Sequence, residues 1–366
     1  MADTKEVVID SDGHVFEDNE EIIRRLRIPK EFIGSTVRSG LFPPSSNVQY
    51  RFGRRPEGAF GVDSQGRYSN PGPDGWVDFM DTVGISSALL FPTQGQRIGR
   101  IVNREYAIAL AQAYNEWLAE TYLDRSTRFR GVAILPMHDP EAAVEELHRA
   151  VTELRMSAAL IPATGVHLDI THKQYWPLLA EAARLGCPLA VHGGGHWDLG
   201  METVNVGAVA NALGHPVSIM IVLGNLIFNG LFDRYPDLRV CFLEGGVSWL
   251  LTALERFDRA ASGVVPFNPR GEVLELPEGQ TMRDYVICLL RDRRISVGME
   301  GDEHDLLYAL ESIGHQPFMF SSDFPHEVNA DLVSQQIQNI RDLATSDGSA
   351  APAILGGNAA QFFGLE

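Results

Sequence analysis

The chain has 366 residues, of which 45% are hydrophobic and 21% are charged, and its mean hydropathy is −0.07. This composition is typical of a globular protein, and it excludes a disordered, a collagen-like and a membrane-spanning chain. Acidic residues outnumber basic ones by 48 to 30, and the resulting net charge of −18 repels nucleic-acid phosphates and anionic membranes. We therefore expect a small molecule as the partner, and neither nucleic acid nor membrane.

The cysteines and the N-terminal segment indicate the cellular compartment. Cys187, Cys241 and Cys288 are odd in number, lie far apart and have apolar neighbours, which predicts small core residues in a reducing environment. The first residues show neither the basic region nor the long apolar region of a secretion signal. We therefore expect a cytoplasmic protein.

Eight short apolar segments recur along the chain, and stretches with helical periodicity separate most of them. This alternation is typical of parallel strands joined by crossover helices, and eight such units predict an α/β fold, a closed (β/α)8 TIM barrel. We expect one domain over residues 1–366. The predicted strands are 7–12, 86–91, 131–135, 158–161, 189–192, 239–244, 295–299 and 318–322, and the predicted helices are 103–123, 140–154, 173–185, 217–232, 248–261, 303–312 and 330–344.

A long insertion, residues 39–74, follows the first strand. It is rich in Gly, Pro, Ser and Arg and shows little periodicity. Loops that leave the C-terminal ends of barrel strands form the active-site face, so we place this insertion over the mouth of the site. Three arginines that lie close together in it, Arg51, Arg54 and Arg55, are candidates to bind a carboxylate or phosphate of the substrate. The alternative is that they are solvated loop residues paired with surface acids.

Several predicted strands end in residues that can bind a metal. Strand one ends in Asp12 and His14, strand five in His192, strand six in Glu244 and strand eight in Asp323. The C-terminal ends of barrel strands converge on one mouth, so these side chains can share one ion. Carboxylates and imidazoles suit zinc, manganese and iron alike. Taken one at a time, each residue has the alternative role of a helix cap or an ordinary polar loop residue.

Motifs spread over nearly the whole chain resemble a known family. These are IDSDGH at strand one, ALLFPT at strand two, AVHGGG at strand five, GLFDRYPDLRV before strand six, SSDFPHE at strand eight and ILGGNAAQFFGL at the end. In this order they resemble the metal-dependent amidohydrolase superfamily, in its TIM-barrel branch that includes aminocarboxymuconate semialdehyde decarboxylase. The resemblance implies Asp12, His14, His192 and Asp323 as metal ligands. It also implies a single divalent ion, because strand four lacks the lysine that bridges two metals in some relatives. The resemblance further implies a homodimer.

Glu244 departs from the family pattern, since many relatives have a histidine at strand six. It is either a further metal ligand or a carboxylate that transfers protons. Two reactions remain open, with Asp323, Glu244 and His192 as catalytic residues in the first: hydrolysis of an amide, ester or thioester by a metal-activated water, or non-oxidative decarboxylation of an aromatic or unsaturated acid. Because decarboxylase relatives use the histidine that Glu244 replaces, we expect a hydrolase. A barrel that only binds a small molecule is a third option.

Other residues near the predicted mouth are candidates for lesser roles. Trp197 and His326 follow strands five and eight, and we expect them to contact substrate. His196, His215 and His304 are candidates to orient a metal ligand, or are ordinary loop residues.

Overall fold

Eight parallel strands form one sheet in which every strand pairs with its neighbour in sequence, from β1 to β8. The structure is a computed structural model, and it describes residues 6–29, 40–44, 70–166, 168–264, 267–326, 328–343 and 348–365. The predicted TIM barrel is confirmed. The strands are β1 Ile9–Val15, β2 Ser87–Pro92, β3 Phe129–Ala133, β4 Met156–Pro162, β5 Leu189–His192, β6 Val240–Leu243, β7 Ile295–Met299 and β8 Phe318–Phe320.

Helices surround the strands and follow them in alternation. They are α1 Asn19–Arg25, α2 Gly72–Val83, α3 Arg104–Leu118, α4 Pro140–Thr152, α5 Trp176–Leu185, α6 Gly207–Phe228, α7 Leu231–Arg234, α8 Ser248–Gly263, α9 Met282–Arg291, α10 Leu306–Ile313, α11 Ala330–Arg341, α12 Ala350–Pro352 and α13 Asn358–Phe363. Local sequence explains their starts: α4, for example, begins with Pro140 after Asp139, whose side chain accepts the backbone N–H of Ala142. A short 3₁₀ helix, Gly95–Arg100, follows β2.

The interior of the barrel is filled by apolar side chains and is closed at one end. Leu89, Phe91, Leu160 and Leu243 pack there with Phe362 of the C-terminal helix α13. A second and larger apolar layer lies between the strands and the surrounding helices. The apolar interior leaves the C-terminal ends of the strands as the place where polar side chains gather.

The barrel closes between β8 and β1, the last and first strands. Asp323 donates its backbone N–H to the Asp12 carbonyl at 3.0 Å, and His14 donates to the Phe324 carbonyl at 2.7 Å. One layer deeper, the Asp10 carboxylate accepts the backbone N–H of Ser322 at 2.9 Å and its hydroxyl at 2.6 Å. Burial raises the pKa of Asp10 to about 7. These bonds fix the two strand ends that carry Asp12 and Asp323.

Two expectations from the sequence differ from the structure. The helix predicted over 217–232 begins ten positions earlier, because α6 continues through Pro216 with apolar residues on both sides. It is the one helix among the described residues that is long and apolar enough to cross a membrane, although its inner face packs against β5, β6 and α8. Cys187 and Cys241 are buried as expected, but Cys288 is exposed on the outer face of α9.

Candidate metal centre

Five side chains predicted from the strand ends meet at the C-terminal mouth of the barrel. His14 Nε2 lies 3.5 Å from Asp12 Oδ1, 3.4 Å from Asp323 Oδ1 and 3.8 Å from Glu244 Oε1. His192 Nε2 lies 3.4 Å from the same Asp12 oxygen. One donor atom from each of Asp12, His14, His192 and Glu244 falls within 4.8 Å of the others, and a second such group joins His14, Glu244, Asp323 and His326.

The backbone turns these carboxylates towards the mouth. Glu244 directly follows β6 with φ of 56°, and Asp323 lies just beyond β8 with φ of 55°. Residues other than glycine rarely adopt this left-handed backbone conformation, which costs on the order of 1–3 kcal/mol. Such strain persists where the surrounding structure imposes it, and here it accompanies two carboxylates at the same site.

The donor atoms lack the partners that buried polar atoms normally have. Among the described residues, no hydrogen bond satisfies Asp12 Oδ1, His14 Nε2 or His192 Nε2. Each such atom costs about 1–3 kcal/mol when it is left without a partner. Asp12, Glu244 and Asp323 also line a cavity of about 10 Å³, which has room for one ion or water. The donor set therefore fits one divalent cation, as predicted.

Hydrogen bonds on the far side of the imidazoles set which nitrogen faces the cavity. His14 Nδ1 lies 3.0 Å from the Pro92 carbonyl, so it donates there and presents Nε2 to the donor cluster. His192 Nδ1 contacts the Gly193 carbonyl in the same way. With Nδ1 used as a donor, each ring has one lone pair left for a metal, which limits His14 to a single ion although it belongs to both groups.

A second layer of imidazoles surrounds the carboxylates. His326 Nδ1 lies 2.9 Å from Asp323 Oδ1, and its Nε2 lies 2.8 Å from the Thr93 hydroxyl. His215 Nδ1, on α6, lies 2.6 Å from Glu244 Oε2. Glycine makes room for this packing, because a Cβ at Gly193 would lie 2.4 Å from His215 Nδ1.

Burial and charge shift the titration of these groups. Burial opposes ionisation of Asp12, but the nearby imidazoles of His192 and His14 outweigh it and hold the pKa of Asp12 below its usual range. Burial also lowers the pKa of His192, yet the Glu244 and Asp12 carboxylates raise it to about 9. For His326 the opposing Asp323 and Glu244 charges outweigh burial and give a pKa of about 10. The site is therefore a compact set of mutually stabilised opposite charges.

The remaining predicted residues fall in different places. Trp197 lies at the rim, where its indole N–H donates to the Pro44 carbonyl at 3.2 Å and the Arg100 guanidinium stacks 4.1 Å from its ring centroid. His196 packs 4.8 Å from the His215 ring, whereas His304 is exposed. The predicted substrate-binding residues of the insertion, Arg51, Arg54 and Arg55, lie outside the described residues.

The sequence reading missed residues that follow strands two and seven. Thr93 comes directly after β2 and reaches His326. Glu300 comes directly after β7 and lines the cavity with Glu244, and burial together with the Asp323 and Glu303 charges raises its pKa to about 8. The strand-end rule that found Asp12 and Asp323 would also have found these two.

A family model described as amidohydrolase matches residues 9–365. The chain is 26% identical over 261 residues to a 2-amino-3-carboxymuconate-6-semialdehyde decarboxylase of Dictyostelium discoideum, which covers 71% of this chain and 68% of that protein. It is 28% identical over 308 residues to a gamma-resorcylate decarboxylase of Polaromonas sp., which covers 79% of this chain and 86% of that protein.

Solved structures share the fold. A 5-carboxyvanillate decarboxylase of Novosphingobium aromaticivorans, with bound manganese, superimposes with a TM-score of 0.74 at 19% identity and covers 100% of this chain and 99% of its own. A dihydroxybenzoic acid decarboxylase of Polaromonas sp., also with manganese, gives 0.64 at 21% identity and covers 98% and 97%.

The hydrolase expected from the sequence, with its thioesterase option, is wrong, because these relatives are decarboxylases. That expectation depended on Glu244 standing where many relatives have a histidine. In the structure Glu244 lies among the imidazoles of His192, His215 and His326, at 3.6, 2.6 and 3.9 Å. A carboxylate at strand six therefore leaves imidazole groups around the cavity, and its presence does not distinguish the two reactions.

The matched segment begins at the first residue of β1 and extends past α13, so it includes every strand end that carries a donor. The resemblance drawn from the sequence motifs is confirmed over the whole barrel. This chain is a TIM barrel that belongs to the amidohydrolase family of enzymes.

Proposed function

We propose that this protein is a metal-dependent, non-oxidative decarboxylase of an aromatic or similarly unsaturated carboxylic acid. The observation that carries the proposal is the cluster of Asp12, His14, His192 and Glu244, in which Asp12 Oδ1, His14 Nε2 and His192 Nε2 are buried with no hydrogen-bond partner among the described residues. The relatives named above are decarboxylases, and two solved structures that share the fold of this chain contain bound manganese.

One divalent ion would be held by Asp12, His14 and His192, with the Glu244 and Asp323 carboxylates beside them. When bound, it supplies a positive charge that orients the carboxylate of the substrate and stabilises the negative charge that develops during the reaction. The three carboxylates and two imidazoles make this site selective for a cation, and mixed oxygen and nitrogen donors suit manganese, zinc and iron. The burial of Asp12 and His14, which are 1% and 0% exposed, keeps bulk water out.

The Asp323 and His326 pair is positioned to move a proton. Decarboxylation replaces a carboxylate by a hydrogen. The ring or alkene carbon that bears the carboxylate takes up one proton, and its bond to the carboxylate carbon breaks. The electron pair of that bond stays with the ring or alkene carbon, and carbon dioxide leaves. The His326 imidazole is protonated because the Asp323 and Glu244 charges outweigh the effect of burial. Its Nδ1 donates to Asp323 Oδ1 at 2.9 Å, and the Asp323 carboxylate passes this proton to the carbon. Thr93, hydrogen-bonded to His326 Nε2, keeps the ring facing Asp323.

The rim offers groups that fit an aromatic acid. The Trp197 indole supplies an apolar surface, and Arg100 over its ring supplies a guanidinium in the described part of the chain. Arg51, Arg54 and Arg55 remain predicted contacts of the substrate. The cytoplasmic location and the homodimer also remain predictions.

The test uses protein loaded with manganese and a panel of acids that includes 2,6-dihydroxybenzoate and 5-carboxyvanillate. Release of carbon dioxide in proportion to loss of substrate is the expected result. When the reaction runs in deuterium oxide, the product should carry one deuterium at the carbon that lost its carboxylate, because that carbon takes its proton from exchangeable groups.

The matched variant is Asp323→Asn, which keeps the side-chain shape and removes the carboxylate that passes on the proton. We expect a loss of turnover of roughly 10²-fold or more, in line with the contribution of a general acid, with an unchanged fold by circular dichroism. Carbon dioxide release at the wild-type rate in this variant, or no release from metal-loaded wild-type protein across the panel, would overturn the proposal.

A further inference from the structure

The segment from Pro92 to Gln96, just after β2, contacts the metal centre at several points. The Pro92 carbonyl accepts from His14 Nδ1 at 3.0 Å, and the Thr93 hydroxyl bonds His326 Nε2 at 2.8 Å. The Gln96 side chain packs so closely on the loop after β5 that a Cβ at Gly194 would lie 2.1 Å from its Oε1. The segment therefore touches residues or loops from three of the strands that carry the site.

Glu17 holds this segment in place. The residue lies beyond the end of β1, and its side chain is buried at 7% exposure. Its Oε1 accepts the backbone N–H groups of both Gln94 and Gly95, each at 2.7 Å. Two short bonds to one oxygen fix the first turn after β2, and the backbone bond from Thr93 N–H to the Val15 carbonyl, at 3.2 Å, adds a third tie to β1.

The described part of the chain shows no other acceptor for the N–H groups of Gln94 and Gly95. The turn that it binds is tight, because a Cβ at Gly95 would lie 2.7 Å from Pro92 Cβ. Without Glu17 the N–H groups of Gln94 and Gly95 would lose their acceptor, so the turn has reason to rearrange. A rearranged turn moves the Pro92 carbonyl, which sets the nitrogen that His14 presents to the cavity.

We propose that Glu17 is a positioning residue of the metal centre, which acts by clamping the Pro92–Gln96 segment against His14 and His326. Its hydrogen bonds go to the backbone of this segment and not to the donor atoms. The inference rests on the proposed function only in taking the donor cluster as a metal site. Residues that orient metal-bound histidines commonly change metal affinity by about 10–100-fold when they are removed.

Two substitutions separate the acceptor from the charge. Glu17→Gln keeps an oxygen that can accept both N–H groups, whereas Glu17→Leu keeps the bulk and removes the acceptor. Burial raises the pKa of Glu17, which indicates that its environment disfavours the charge. The clamp should therefore survive in Glu17→Gln and fail in Glu17→Leu.

A buried carboxylate elsewhere provides the control for lost stability. Glu146 on α4 is 3% exposed and accepts from Asn115 at 2.6 Å and from Arg149 at 2.7 Å, with none of these groups in the donor cluster. Glu146→Leu removes a comparable buried acceptor from the outer layer of the barrel. Any effect that arises from destabilisation alone should appear in this variant as well.

The experiment measures the Kd for manganese of each purified apoprotein by competition with a chromophoric chelator, alongside the Tm. We expect Glu17→Leu to bind manganese about 10-fold to 100-fold more weakly than wild type, and both Glu17→Gln and Glu146→Leu to bind within about threefold of it. Equal affinity in Glu17→Leu and wild type, or an equal loss in Glu146→Leu, would overturn the inference. If wild type binds manganese but decarboxylates no acid, the proposed function fails while this comparison of Kd values still decides the role of Glu17.

Discussion

Metal binding at this site is expected to release a proton, because an imidazole that must become a ligand carries one in the metal-free protein. His192 has a pKa of about 9, raised against the effect of burial by Glu244 and Asp12. At neutral pH a cation must therefore displace this proton. Two pH units between 7 and 9 correspond to about 3 kcal/mol. We expect the apparent Kd for manganese to fall about tenfold for each pH unit from 6 towards 9.

The assay is a chelator competition at about pH 6, 7 and 8, corrected for the protonation of the chelator itself. Calorimetry in two buffers of different ionisation enthalpy counts the protons released, and we expect about one per metal near neutral pH. His148→Gln is the control, because this exposed histidine pairs with Glu181 at 2.9 Å on the outside of the barrel. A Kd that stays constant over this range in wild-type protein would refute the reasoning.

Three further predictions concern charge and packing at the same site. The raised pKa values of His192 and His326 stabilise the metal-free protein below about pH 6.5, and that stability should be lost as the pH rises through about 9 to 10, as measured by urea unfolding. Glu244→Gln removes a candidate ligand and a negative charge next to the cation, and this loss outweighs the easier release of the His192 proton, so we expect manganese affinity to fall about 10–100-fold in the chelator assay. Gly194→Ala places a Cβ against Gln96 at a φ of 150°, and we expect it to lower the free energy of unfolding by about 1–3 kcal/mol, measured by thermal unfolding.

The donor residues at the strand ends could be predicted from the sequence, because two physical rules are enough to locate them. Buried parallel strands are apolar runs, so a polar residue at the end of such a run stands out, and barrel closure brings those ends together. Asp12, His192 and Asp323 follow from these rules although their contacts are far apart in sequence. The barrel itself follows from the same alternation of apolar runs and helical periodicity.

The supports of the site were not predictable in this way. Glu17 lies in a connecting segment, and nothing in its neighbours shows that its oxygen accepts the N–H groups of Gln94 and Gly95, which follow the next strand. The choice of reaction failed for a related reason. The residue type at position 244 does not decide the reaction, because the chemistry of Glu244 depends on the imidazoles of His192 and His215, which come from other elements.

The metal centre also lies at the seam of the barrel, which couples cation binding to folding. Asp10 and Ser322 are 312 residues apart in sequence and join β1 to β8 directly beneath Asp12 and Asp323. Above them, a carboxylate oxygen of Asp12 and one of Asp323 lie 3.5 and 3.4 Å from His14 Nε2. A cation bound there neutralises both charges only when the first and last strands are together. Binding to the folded chain alone stabilises it by about 2.7 kcal/mol at a concentration of 100 times Kd, so we expect a cation at this site to stabilise the contact between β1 and β8 as well.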